Sequence, residues 1–352
     1  MSENKLFEIA GHQIGQGQPC FFIAEAGVNH DGDVEKAKKL IDVAVNAKAT
    51  AVKFQTFRAD LLAAPNAPKA EYQTVTTSKQ ESQTDMLRSL ELSQQDYRDL
   101  KLYCESHNII FLSSPFDESS VDLLDELDVP AYKIPSGEAI NLPLLKHIGD
   151  KHKPIILSTG MSYLAEIKTA VETIYQTNNH DIALLHCTSN YPAMPADINL
   201  NAMDTLRRSL GLPVGFSDHT TGLEIPLAAV AMGACIVEKH FTLDRNLHGP
   251  DHRASLEPNE LKTLIEGIRN IELSFGSGIK RPAASELNNR EIIRKSVYLK
   301  NNKNAGDAIN ESDLISLRPS GGISPSEIQK IVGRQLTRPM TQGSILTWAD
   351  FE

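Results

Sequence analysis

The chain has 352 residues, 41% of them hydrophobic and 23% charged, with a formal net charge of −10. That length exceeds what one small core holds, so a large domain followed by a small one is expected. The acidic balance leaves no cationic excess to neutralise phosphates, which excludes a general nucleic-acid or anionic-membrane binder; an anionic substrate would need a local positive pocket.

In chain order, the opening MSENKLFEIAG has no apolar core of the signal-peptide kind, and the four cysteines, Cys20, Cys104, Cys187 and Cys235, form no CxxC pair. Both features point to a reducing cytoplasm with neither disulfide nor zinc knuckle. Short β-rich apolar runs follow at 19–26, 50–56, 109–115, 131–136, 154–160, 182–188, 213–220 and 235–242. Most are separated by helically spaced segments such as DVEKAKKLIDVAVNAKA (33–49), and EPNELKTLIEGIRNIELSF (257–275) closes the series. Strands alternating with helices predict parallel pairing, and eight units over this length predict a (β/α)8 TIM barrel. No GxGxxG follows the first strand, against a dinucleotide-binding sheet. The connection 57–92 is long enough to predict a functional or mobile segment. The apolar stretch IPLAAVAMGACIV (225–237) is too short to span a bilayer and is broken by glycine. These limits give a barrel domain over 1–280, a polar linker at 281–291 and a small, mostly β domain over 292–352.

Chemistry in such a barrel sits where the strands end and the loops begin. The strand ends here carry Glu25; Lys53 and Gln55; Ser113 and Ser114; Lys133, Ser136 and Glu138; Ser158; His186 and Thr188; Ser217 and His219; Glu238 and His240. Singly, a rim serine is more often a turn or helix cap, and His186 reads as a core histidine bonded to backbone. Lys53 and Lys133 are harder to dismiss, because a buried lysine needs a partner or an anion; Glu25 or Glu138 would supply the partner in a purely structural role. His219 and His240 end adjacent strands and could share one divalent cation, Mn²⁺ foremost with Mg²⁺ or Co²⁺ as alternatives, or simply serve as hydrogen-bond donors. Lysines, a cation and carboxylates together suit an anionic substrate reacting with a polarised carbonyl.

The same residues sit in FIAEAGVNHDGD, AVKFQTF, YKIPSGE, ILSTGM, LLHCT, GFSDHT, VEKHFTLD and GPDHRASLEP, with LRPSGGISP in the tail. In that order they resemble the sialic acid synthase family with its C-terminal antifreeze-like SAF domain. The resemblance implies a metal-dependent condensation of phosphoenolpyruvate with N-acetylmannosamine, giving N-acetylneuraminate and phosphate. Its alternative is N,N'-diacetyllegionaminate synthesis from 2,4-diacetamido-2,4,6-trideoxymannose. The resemblance also implies a catalytic set of Glu25, Glu138, Lys53 and Lys133, with His219 and His240 on the metal. Ser136, Ser158 and Ser217 would hold phosphoenolpyruvate. The HCTSNYP stretch departs from the family's HCTNxYP, so either Ser189 or Asn190 reaches the phosphate. Gln55, Tyr191 and Asp251 would line the sugar pocket, with Tyr72 and Gln73 near it. Arg318 would reach the sugar's N-acetyl group from a partner subunit, which implies a domain-swapped homodimer. A barrel metal-dependent hydrolase would instead show HxH on the first strand, where this chain has EAGVNH. A non-enzymatic binding protein would leave the whole polar rim to accident.

Overall fold

The computed structural model describes residues 5–65, 67–70, 73–76 and 81–352. It divides into two compact units, Met1–Phe275 and Gly276–Glu352. The first opens with an antiparallel hairpin, β1 (Phe7–Ile9) and β2 (His12–Ile14), and then builds β3 (Phe21–Gly27), β4 (Ala51–Thr56), β5 (Ile110–Pro115) and β6 (Tyr132–Ile134). β7 (Ile155–Ser158), β8 (Ile182–Cys187), β9 (Val214–Asp218) and β10 (Ile236–His240) complete it. These last eight strands form one parallel sheet in the order β5-β4-β3-β10-β9-β8-β7-β6, and its end strands β5 and β6 lie against each other. The result is the nearly closed (β/α)8 barrel predicted from the apolar runs.

Two apolar clusters hold it, as strand alternation requires. Outward residues such as Phe22, Val52, Phe111 and Leu184 pack on the helices, while inward Phe21, Ile23, Ala51, Leu112, Ile156 and Leu185 fill the barrel's lower interior. The hairpin's Phe7, Ile9 and Ile14 join that inner cluster and close its N-terminal end. Its three-residue strands are too short to register as an apolar run. Helix Val34–Asn46 shows why the outer shell is helical: Asp33 accepts from the Glu35 and Lys36 backbone N–H groups, and Ala37, Leu40, Ile41 and Ala44 form one buried stripe. Each such leucine or isoleucine contributes about 1.5–3 kcal/mol by leaving water.

Between β4 and β5 lie helices Ala59–Leu62, Gln73–Thr76 and Gln83–Leu90. A satellite core of Val28, Phe57, Ala59, Met86, Leu87 and Leu90 fastens this connection over the strand ends. The stretch 225–237 splits between helix Glu224–Ala231 and β10, with Gly233 turning the chain at φ +89°. Among the described residues no helix is long and apolar enough to cross a membrane. All four cysteines are buried and free.

The second unit has its own core of Val297, Leu299, Ile309, Leu314, Ile323 and Leu346 around antiparallel strands β11 (Ser296–Leu299) and β12 (Leu314–Leu317). The apolar stretch SILTWADF near the C-terminal end forms no strand and contributes isolated bridges from Ile345 and Phe351. The segment 281–291, expected as a linker, is part helix: a 3₁₀ turn at Ala284–Glu286 runs into helix Leu287–Ile293. Polar composition alone does not distinguish coil from an exposed helix, and Glu286 caps this one by accepting from Ala283 N–H.

Candidate active site

Alternation carries each barrel strand from apolar to polar on its inner face. Ile23 is followed two residues on by Glu25, Ala51 by Lys53, Leu112 by Ser114, Ala131 by Lys133, Ile156 by Ser158 and Ile236 by Glu238. These polar ends line a cavity of about 410 Å³ at the C-terminal rim, within the usual range for a small-molecule site. The strand-end clusters therefore divide by parity. Glu238 and His240 face the cavity, whereas Asp218 and Lys239 point outward and are buried as an ion pair, Lys239 also donating to Thr220 O at 2.6 Å.

At the cavity floor two lysines face two carboxylates. Lys53 Nζ lies 2.7 Å from Glu25 Oε2 and 3.8 Å from Glu238 Oε2, and donates to Ser114 Oγ at 2.9 Å. Lys133 Nζ lies 3.3 Å from Glu238 Oε1, which also accepts from Ser217 Oγ at 2.9 Å. All four ionisable groups are buried. They tolerate it because the charges balance and each head group has an opposite charge within ion-pair range. Burial, with the charge of Glu238, pushes Glu25 up to about 7 against the pull of Lys53. Burial also raises Glu238, but Lys133 and Lys53 together outweigh it and hold that carboxylate down at about 2. The quartet thus keeps one fixed anion and one carboxyl able to carry a proton.

Above it, the His219 and His240 ring centroids are 5.4 Å apart, with the Tyr191 ring 4.1 Å from His219 and edge-on to His240. His219 Nδ1 donates to Thr188 O at 2.8 Å, which leaves the Nε2 lone pair available. Burial, then the neighbouring His219, holds His240 well below its ordinary range, so its imidazole is neutral. Its Nδ1 is buried without a hydrogen-bond partner, 3.9 Å from Asp251 Oδ2. Burial pushes Asp251 up to about 6. Among the described residues no group of three or more His, Cys, Asp or Glu is arranged to hold a metal ion. The protein's donor set is therefore a pair of imidazoles, one with an unmet nitrogen, which fits a divalent cation whose other positions go to water and substrate oxygens.

Gln55, Ser136, Ser158, Ser189, Tyr191, Ser217 and Asp251 all line the same cavity. Ser158 Oγ is buried with no partner, and Gln55 Nε2 donates to Glu25 Oε1 at 3.4 Å. Ser189 reaches the cavity; Asn190 is exposed and accepts from the Tyr191 backbone. Gly160 leaves room for both hydroxyls beside it, since a Cβ there would lie 2.3 Å from Ser189 Oγ and 2.8 Å from Ser136 Oγ. Glu138 is not brought in: it sits on the 3₁₀ turn Ser136–Ile140, half-buried, and accepts from Asn141 Nδ2 at 2.7 Å. The lysines' partners are Glu25, one of the two expected, and Glu238 in place of Glu138, a role that the position of Glu238 two residues before His240, on the same face, could have signalled. His186 faces away from the cavity and its Nε2 donates to Ile198 O at 2.6 Å. Gln73, Gln83, Met86, Leu87 and Leu90 of the long connection add a wall. Tyr72 lies outside the described residues, and Arg318 belongs to the second unit, exposed just past β12.

A model described as the NeuB family matches residues 40–280, and one described as the SAF domain matches 294–352. The N,N'-diacetyllegionaminic acid synthase of Legionella pneumophila is 48% identical over 96% of this chain and 96% of its own. The enzyme of that name from Campylobacter jejuni is 48% identical over 92% of this chain and 98% of its own. Among solved structures, the N-acetylneuraminic acid (sialic acid) synthetase of Leptospira borgpetersenii aligns with a TM-score of 0.71 at 36% identity, covering 81% of this chain and 95% of that one.

Proposed function

The chain belongs to the NeuB family, whose synthases form a carbon–carbon bond from phosphoenolpyruvate, and we propose that its acceptor is 2,4-diacetamido-2,4,6-trideoxymannose and its product N,N'-diacetyllegionaminate. One observation carries this choice: two near-full-length relatives bearing the legionaminic name stand at 48% identity, against 36% for the N-acetylneuraminic acid synthetase. It reverses the order in which the motifs ranked the two sugars. Phosphate release from phosphoenolpyruvate, with Mn²⁺ and each sugar in parallel, tests it. The diacetamido sugar is expected to turn over faster by at least about tenfold, the discrimination of one well-placed polar contact. Faster turnover of N-acetylmannosamine would reject the assignment.

In this reading Lys53 and Lys133 hold the phosphate and carboxylate of phosphoenolpyruvate, and Ser136, Ser158, Ser189 and Ser217 donate to the same anion. Its charge replaces the carboxylates as partner of the lysines, so Glu25, losing its pull from Lys53, favours the protonated form. C3 of phosphoenolpyruvate forms a bond to the aldehyde carbon, and Glu25 gives its proton to the aldehyde oxygen. Water adds at C2 and its lost proton restores the carboxyl. The C2–O bond to phosphate then breaks as the C2 hydroxyl passes its proton to the departing phosphate, leaving the 2-keto acid. A divalent cation held by His219 and His240, Mn²⁺ foremost, would supply Lewis-acid polarisation of the acceptor carbonyl. Gln55, Tyr191 and Asp251 face the sugar.

The family resemblance supports a further assignment: Arg318 completes the site of a second copy in a domain-swapped homodimer. Arg318→Ala and His240→Ala are each expected to be inactive alone. Mixed and re-equilibrated, they should regain about a quarter of wild-type activity, because random pairing makes half the dimers mixed and each mixed dimer holds one intact site. No recovery on mixing would count against exchange between subunits.

A further inference from the structure

Apart from Asp251, two motifs remain without a role in the scheme above: NHDGD after β3 and GPDHRASLEP after β10. The structure joins them. Asn29, fully buried, spends both amide hydrogens on the second loop, donating to Phe241 O at 2.8 Å and to Ser255 Oγ at 2.9 Å. Ser255 Oγ in turn donates to the backbone carbonyl of Asp251 at 2.7 Å. Alongside runs a second chain. Asp31 Oδ1 lies 3.0 Å from His252 Nε2, and His252 Nδ1 lies 2.7 Å from Thr242 Oγ1. Gly249 lets the loops close, for its φ is +154° and a Cβ would come 2.7 Å from Asp31 Oδ1.

Asn29 Oδ1 is buried without a partner. An apolar side chain would avoid that unmet acceptor, so the residue is present for its two donors rather than for packing. One of those donors reaches the Asp251 backbone through Ser255 Oγ, and the Asp251 carboxylate stands in the cavity 3.9 Å from His240 Nδ1. Its direction is therefore set through its backbone.

We infer that Asn29 and Ser255 are positioning residues that aim the Asp251 carboxylate at the acceptor sugar, with the Asp31–His252–Thr242 chain holding the same two loops in register. The inference rests on the reading of Asp251 as a sugar contact. It assigns acceptor affinity, and not phosphoenolpyruvate affinity, to residues that touch neither substrate.

The test is a set of full-length variants, Ser255→Ala, Asn29→Ala, Asp251→Ala and Ser255→Ala/Asp251→Ala, assayed for kcat, for KM of each substrate and for melting temperature. Ser255→Ala and Asn29→Ala should each raise the sugar KM about tenfold, the worth of one well-made hydrogen bond, with the phosphoenolpyruvate KM within about twofold. In the Asp251→Ala background, Ser255→Ala should add less than about twofold, because residues acting through one group are not additive. Equal rises in both KM values, or full additivity, would overturn the inference. A raised sugar KM in Asp251→Ala with an unchanged one in Ser255→Ala would sink the inference alone; an unchanged sugar KM in Asp251→Ala would sink the underlying reading with it. Should Asn29→Ala not fold, Ser255→Ala, which leaves the Asn29–Phe241 bond in place, decides by the same outcomes.

Discussion

His240→Ala is expected to reduce phosphate release from phosphoenolpyruvate by about 10³-fold or more while leaving a folded barrel. The size follows from what polarisation of a carbonyl by a bound cation contributes, several kcal/mol of transition-state stabilisation, each 1.36 kcal/mol being tenfold in rate. The barrel survives because the imidazole Nδ1 makes no hydrogen bond within the protein, so truncation orphans no nearby donor or acceptor on its account. What is lost is ring packing against Tyr191 and His219, and the cavity already borders that space. Mn²⁺ binding, measured by titration on the same preparation, should weaken in parallel. The control is His186→Ala, whose ring faces Ile198 on the outer side of β8 and should retain turnover. A fully active His240→Ala enzyme would remove the histidine pair from the reaction.

The contrast between His186 and His240 shows what the sequence carries and what it does not. Both stand at the C-terminal end of a buried strand; only strand parity, counted from the inner apolar residues, separates them. The eight barrel strands were legible because buried parallel strands read as continuous apolar runs bounded by turns. The hairpin β1–β2 was not, because three apolar side chains spread over eight residues have no period. Lys53 and Lys133 announced a need for a partner, and of the two candidates Glu25 pairs with Lys53, but Glu138, five residues from Lys133, does not. The 3₁₀ turn after β6 carries that side chain to Asn141, and the partner comes from Glu238, 100 residues further on. Such a pairing is fixed by closure of the barrel, which places β10 between β3 and β9, and local sequence holds no record of it. Ser189 and Asn190 were equivalent in the motif; the turn turns one inward and leaves the other to its own backbone.

The lysine–carboxylate quartet makes the second large prediction, because binding and stability meet in it. Lys53→Ala should raise the phosphoenolpyruvate KM by about 10²-fold or more, since a charged contact to a desolvated anion is worth at least ~3 kcal/mol. It should also destabilise the fold by about 3–5 kcal/mol, the cost of breaking a buried ion pair by removing one partner, because Glu25 and Glu238 would then share Lys133 alone. For a domain of this size that corresponds to a melting temperature lower by about 10 °C. The two effects separate in Lys53→Ala/Glu238→Gln. The amide keeps the shape of the carboxylate and still accepts from Ser217, while the excess buried negative charge is gone. Most of the lost melting temperature should return, and the phosphoenolpyruvate KM should stay high. Recovery of both would mean that Lys53 serves only to neutralise Glu238 and never touches the substrate. Recovery of neither would mean that the carboxylates were not the source of the instability, and that the quartet is held together by something other than its charge balance.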